Sequence, residues 1–140
     1  MSFDIATIGY GPRLEAGSTL KLVKPGTQTP VLDAEGQEVT LTLRGRNSSV
    51  VQEARDQFNA ERLERAAREG SKPLSAEELR ENELRVLGAA TVGWSWTELD
   101  GAAFPCTAEN VRKFFTDPRF AWVREQARGF VENDGNFLMA

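Results

Sequence analysis

The chain has 140 residues, 40% of them hydrophobic and 27% charged, with 17 Lys and Arg against 21 Asp and Glu. This is the composition of one ordinary folded domain, and a net charge of −4 argues against a dedicated binder of phosphate backbones. With no histidine and a single cysteine, the chain cannot build a Ser–His–Asp triad, a His-assisted cysteine hydrolase, an intramolecular disulfide or a His- or multi-Cys zinc site.

Residues 1–17 carry Gly9, Gly11, Pro12 and Gly17 and read as an irregular arm, with Phe3, Ile5, Ile8 and Tyr10 able to form a short strand or to dock on another element. The arm has no basic leader followed by a long apolar run, and no later stretch approaches about 18 apolar residues, so neither export nor a membrane span is expected. Residues 18–46 form a small antiparallel β unit. Leu20 and Leu22 alternate with polar neighbours until Pro25-Gly26, and a second strand passes through Pro30-Val31-Leu32. After the turn at Asp33–Gly36, Val39, Leu41 and Leu43 share one face. So small a sheet needs a cover.

Beyond Gly45 the apolar period lengthens to that of a helix. Residues 47–132 are expected to form a helical domain of about four helices packed on the β unit, an α+β fold. Asn47, Ser48 and Ser49 are candidate caps, and Ser49 with Gln52 has capping-box spacing. A helix over about 50–69 presents Val51, Ala54 and Phe58, then Leu63 and Ala67, on a thin stripe that invites a companion helix or a homo-oligomer. Ser75-Ala76-Glu77-Glu78 is a stronger box. It opens a core helix to about Val92 with Leu79, Leu84, Val86, Leu87 and Ala90 facing inward. Trp94 and Trp96 follow in a loop closed by an Asp100-Gly101 turn, with Trp94 expected to be the more buried. Thr107 caps a helix over about 108–115 with Val111, Phe114 and Phe115 inside. Asp117-Pro118 starts the last helix, whose stripe is Phe120, Val123, Ala127, Phe130 and Val131. Residues 133–140 form a tail containing Phe137, Leu138 and Met139.

Few residues suggest chemistry. Cys106 has no histidine to act as its base and reads as packing. Glu77 and Glu78 belong to a helix start, and Glu98 with Asp100 supplies too few oxygens for calcium. No Gly-rich phosphate motif is present. Arg44, Arg46, Arg112, Lys113, Arg119, Arg124 and Arg128 read as solvated faces and helix-end neutralisation. No cofactor, metal, nucleic-acid or membrane partner is expected.

One ordered combination is more informative. The β segment Val39–Arg44 runs through Gly45-Arg46-Asn47-Ser48 into a charged helix. A second helix runs into Ala90-Thr91-Val92-Gly93-Trp94. Leu99-Asp100-Gly101, Phe104-Pro105-Cys106-Thr107-Ala108-Glu109-Asn110 and Phe114-Phe115-Thr116-Asp117-Pro118 then follow. Over about residues 18–132 this order resembles the tail assembly chaperones of long-tailed bacteriophages, with Asn47 standing where that family usually has an aspartate. The resemblance implies a non-enzymatic protein of the infected host's cytoplasm, absent from the finished virion. Its partner would be the long apolar tape measure protein, kept soluble while tail tube protein polymerises around it. Many such proteins are also made in a longer, frameshifted form whose extension contacts the tube protein. The alternative is a structural tail component (a terminator, connector or minor tail protein) retained in the particle. Trp122, Phe130 and Phe137, then Phe58 and Leu63, are the expected protein-binding residues.

Overall fold

The computed structural model describes residues 3–4 and 8–138. Ile5 and Met139 lie outside the described residues. The fold is α+β, an N-terminal antiparallel β region followed by a mainly helical region of four main helices. Strands β1 (Ser18–Lys21) and β2 (Thr40–Leu43) pair antiparallel, Leu20 opposite Leu41. The alternation in β2 drives Leu41 and Leu43 fully inside and leaves Thr40 and Thr42 half-buried. The expected strand at Pro30–Leu32 is reduced to bridges. Val31 N–H donates to Leu22 O and Val39 N–H to Val31 O, each at 2.9 Å, so residues 22–39 fold back as a ragged extension of the sheet. Asp33 Oδ1 closes the intervening turn by accepting from the N–H groups of Glu35 and Gln37.

The sheet gains a third strand from an unexpected place. Helix α3 (Ala76–Ala90) stops short of Val92, and Thr91–Trp94 continue directly as β3, antiparallel to β2 with Leu41 opposite Trp94. Thr91 Oγ1 donates to Leu87 O at 2.7 Å and ends the helix. The β-branched pair Thr91-Val92 then suits a pleated edge. Beyond it, in place of the expected loop closed by an Asp100-Gly101 turn, β4 (Glu98–Leu99) and β5 (Ala102–Ala103) pair as a hairpin about that turn. Asp100 and Gly101 both adopt positive φ, 54° and 81°, as a two-residue hairpin turn requires.

The helical region covers the sheet. In α2 (Ser49–Glu69) the cap is Ser48, whose buried hydroxyl accepts from Val51 N–H; Gln52 reaches back to Arg46 O, so the Ser49–Gln52 box does not form. Glu15 bonds Ser49 N–H and Oγ at 2.7 and 2.9 Å, placing a carboxylate at the positive end of the helix. Ser75 caps α3 by accepting from Glu78 N–H, and the Glu78 carboxyl sits below its ordinary pKa, chiefly through Arg65. Helix α4 (Ala108–Thr116) begins as expected from Thr107, whereas Asp117 caps a 3₁₀ turn over Pro118–Phe120 and α5 (Ala121–Glu132) starts only after that turn, with no side-chain cap of its own. Leu41, Leu43, Val51, Leu87, Phe115, Val123, Ala127 and Val131 meet in one core. The outer half of α2 leaves that core. Leu63 is 73% exposed, and Leu79, expected inside α3, is 52% exposed because it sits in the helix's first turn. Arg65–Glu78 and Arg85–Glu61 pairs hold this distal hairpin, with the Arg85 guanidinium over the Phe58 ring.

Segments 10–17 and 134–138 meet. The expected irregular arm contains a short helix, α1 (Pro12–Ala16), whose Leu14 is buried. Residues Asp134–Phe137 make a 3₁₀ turn, and Tyr10 bridges Leu138. Arg46 and Tyr10 both donate to Asp134, and Asn47 Nδ2 donates to Tyr10 Oη and Asp134 Oδ1. An aspartate at position 47 would face the Asp134 carboxylate instead. Under this clasp lies Gly45, where a Cβ would come within 2.6 Å of Leu14 and 3.1 Å of Phe137. Gly45→Ala is expected to cost about 1–3 kcal/mol by overpacking. Denaturant titration checks it, and an unchanged midpoint would show that the arm yields freely.

The clasp also sets an acid limit. Hydrogen bonds from Arg46, then Tyr10, hold the Asp134 carboxyl below the ordinary carboxylate range. A depressed folded-state pKa stabilises fully above the unfolded value of about 3.9 and is lost as pH falls through the lower folded value. Amide protection of residues 10–17 and 134–138 is therefore expected to hold at neutral pH and to fall selectively below about pH 4. Asp134→Asn should loosen the same segments already at neutral pH. Equal protection of the two proteins at pH 7 would refute the assignment.

Candidate functional site

Opposite the clasp, at the N-terminal end of α5, an apolar groove of about 200 Å³ opens between the ragged sheet extension and the helices. One wall is Leu22, Val31 and Val39; the other is Phe114, Phe120, Trp122 and Val123; Trp96 and Leu99 close the end. The sheet wall is pinned to α5 by one side chain. Gln126 Nε2 donates to Val23 O at 2.7 Å and Gln126 Oε1 accepts from Val23 N–H at 3.0 Å, completing the backbone bonding of an extended residue.

The aromatic wall is an ordered stack. Trp94 and Trp96 lie 4.6 Å apart at 13°, Trp94 continues onto Phe104, Trp96 tilts onto Phe114, and Phe114 stacks on Phe120 at 4.4 Å. Both indoles are half-buried against the core. Their polar atoms differ: Trp94 Nε1 donates to Phe104 O at 3.2 Å, whereas Trp96 Nε1 is buried with no acceptor in the described protein. Arg119 locks the rim by pairing with Asp117 and Asp100 and lying over Phe120. Asp117 is held below, and Arg119 above, its ordinary pKa by that pairing.

The expected binding residues do not share one surface. Trp122 lines the groove. Phe130 is half-buried at the other end of α5, edge-on to Phe137. Phe137 is fully buried and Phe58 is 6% exposed, so both serve internal packing and neither presents a free face. Leu63 is exposed, but on the distal hairpin away from the groove. The groove's other walls carried only the ordinary signal of half-buried strands, the alternation through Leu22 and Val39. Their juxtaposition with Phe120 and Trp122 depends on Gln126, which no motif marks.

The remaining reactive-looking groups are occupied. Burial pushes the Cys106 thiol above its ordinary pKa and so disfavours the thiolate. Arg44 bonds the carbonyls of Glu15 and Ala89; Arg112 pairs with Glu81, Lys113 with Glu109, and Arg124 and Arg128 with Glu83. These cations are each engaged by an intrachain acceptor. Among the described residues no group of three or more Cys, Asp or Glu is placed to hold a metal ion. A groove of this volume is below the ~300–1,000 Å³ of typical cofactor pockets, yet an apolar cavity of ~150 Å³ holds benzene. It suits one large apolar side chain of another polypeptide. No family model, curated protein or solved structure matches the chain.

Proposed function

We propose that the chain is a non-enzymatic tail assembly chaperone of a long-tailed bacteriophage, acting in the cytoplasm of the infected host on the tape measure protein. The order of sequence features from Val39 to Pro118 supports the family, and the observation that carries the mode of action is the aromatic groove beside Trp122. A groove that takes one apolar side chain gives a small, weak contact. That suits a factor that shields an apolar client in many places and then leaves it to the polymerising tube protein. The charged surface of α2 and α3 keeps the complex soluble.

Co-expression with the tape measure protein tests the proposal. The client is expected to move from aggregate to soluble complex, and the chain is expected to be missing from finished particles. A client equally insoluble with and without the chain would overturn it. Stable recovery of the chain in purified virions would place it among the structural tail components.

A further inference from the structure

The groove has one charged residue on its lining, Glu98. Nearby carboxylates are engaged: Asp100 and Asp117 with Arg119, and Glu38 with Lys21. The Glu98 carboxylate has no hydrogen bond or ion pair among the described residues, and it stands exposed on β4 at the mouth of an otherwise apolar site. Trp96, two residues before it, lines the groove with its buried N–H unsatisfied, so this wall lacks the polar anchor that fixes Trp94. An apolar group can fill the groove while Glu98 stays in water, and its negative charge on the rim then attracts cationic segments and repels acidic ones.

Resting on the reading of the groove as the client site, we infer that it selects a polypeptide segment bearing one large apolar side chain with a lysine or arginine one helical turn away. The apolar group enters between Val31 and Trp122, and the cation pairs with Glu98. Apolar burial supplies the affinity. The rim charge supplies selection, through attraction of the right segment and repulsion of acidic ones.

Short alanine-based helical peptides test this with the intact chain. Each carries one phenylalanine and no tryptophan, and they differ only in a lysine or a glutamate one turn from it. Tryptophan emission reports occupancy, since Trp96 and Trp122 line the groove. The lysine peptide should bind about 2–5-fold more tightly than the glutamate peptide at low salt, with the gap closing as salt is added. Glu98→Lys, a change at an exposed side chain, should reverse the preference while circular dichroism stays the same. A peptide lacking phenylalanine should not bind. Equal binding of the two charged peptides, a preference that survives Glu98→Lys, or no saturable binding would overturn the inference. So would concentration-dependent self-association lost in Trp122→Glu, which assigns the groove to a second copy. If the peptides discriminate as stated but the tape measure protein gains no solubility, the proposed function fails and the selectivity stands. If the client is solubilised and the peptides do not discriminate, only the selectivity fails.

Discussion

Phe115→Ala is expected to remove about 3–5 kcal/mol of stability. The ring is 1% exposed in α4, packs edge-on to Phe114 at 5.4 Å, and belongs to the cluster where sheet and helices meet. Its backbone carbonyl accepts from Arg124 at 3.1 Å, so the cavity left behind would be framed by a turn that cannot readily collapse. A domain with about 5–15 kcal/mol in total would keep a folded state but with a much smaller margin. The melting transition should fall by about 10 °C or more. Leu63→Ala, on the solvent side of α2, should stay within about 0.5 kcal/mol of the parent. Thermal and urea denaturation followed by circular dichroism check both, and comparable small losses would deny that Phe115 sits in the core.

How much was legible follows from what each element rests on. Ser75 and Thr107 name their own helix starts because a cap is a local chemical requirement, and Asp117 in the same way caps the 3₁₀ turn that precedes α5. The inward face of β2 follows from strict alternation. Strand β3 was not legible, because Thr91 and Val92 carry on the helical spacing as far as Gly93, and Thr91–Trp94 become a strand only when β2 offers an edge. The docking of the ends was equally hidden. Leu14 and Phe137 find each other over Gly45 across most of the chain length, and no local pattern encodes such a contact. Phe137 looked like an exposed tail residue for that reason. The groove was half legible: Trp122 stands off the buried stripe of its helix, which is the signal of a partly exposed ring, but the opposing wall is brought in by the side chain of Gln126.

The two ends of α5 therefore do different work. At its C-terminal end the helix is closed over by Phe137 and the Tyr10–Asp134–Arg46 clasp, so apolar groups there are already used. At its N-terminal end the aromatic wall remains open. The proposed client surface is the open end, and this separates the five residues expected from sequence: Trp122 lines that groove, Phe130 is half-buried against Phe137 at the closed end, Phe58 and Phe137 are buried in internal packing, and Leu63 lies on the distal hairpin.

Trp122→Glu is expected to abolish most of the gain in client solubility on co-expression. The indole forms part of an apolar wall, and a carboxylate there would have to be desolvated, beside Glu98, whenever a client side chain entered. Removal of one buried aromatic anchor from a small interface typically costs about 2–4 kcal/mol, which at a weak site leaves no measurable complex. Trp122 is half-buried, so some stability loss is expected from the substitution itself. Leu99→Glu, on the β4–β5 hairpin at the end of the same groove, provides an independent variant with a different packing environment. Both should lose the client while their circular dichroism retains the folded spectrum, and Leu63→Glu should keep it. The comparison is read as the soluble fraction of the tape measure protein across the variants. Retention with both groove variants, or loss with Leu63→Glu alone, would move the binding surface from the groove to the distal helical hairpin.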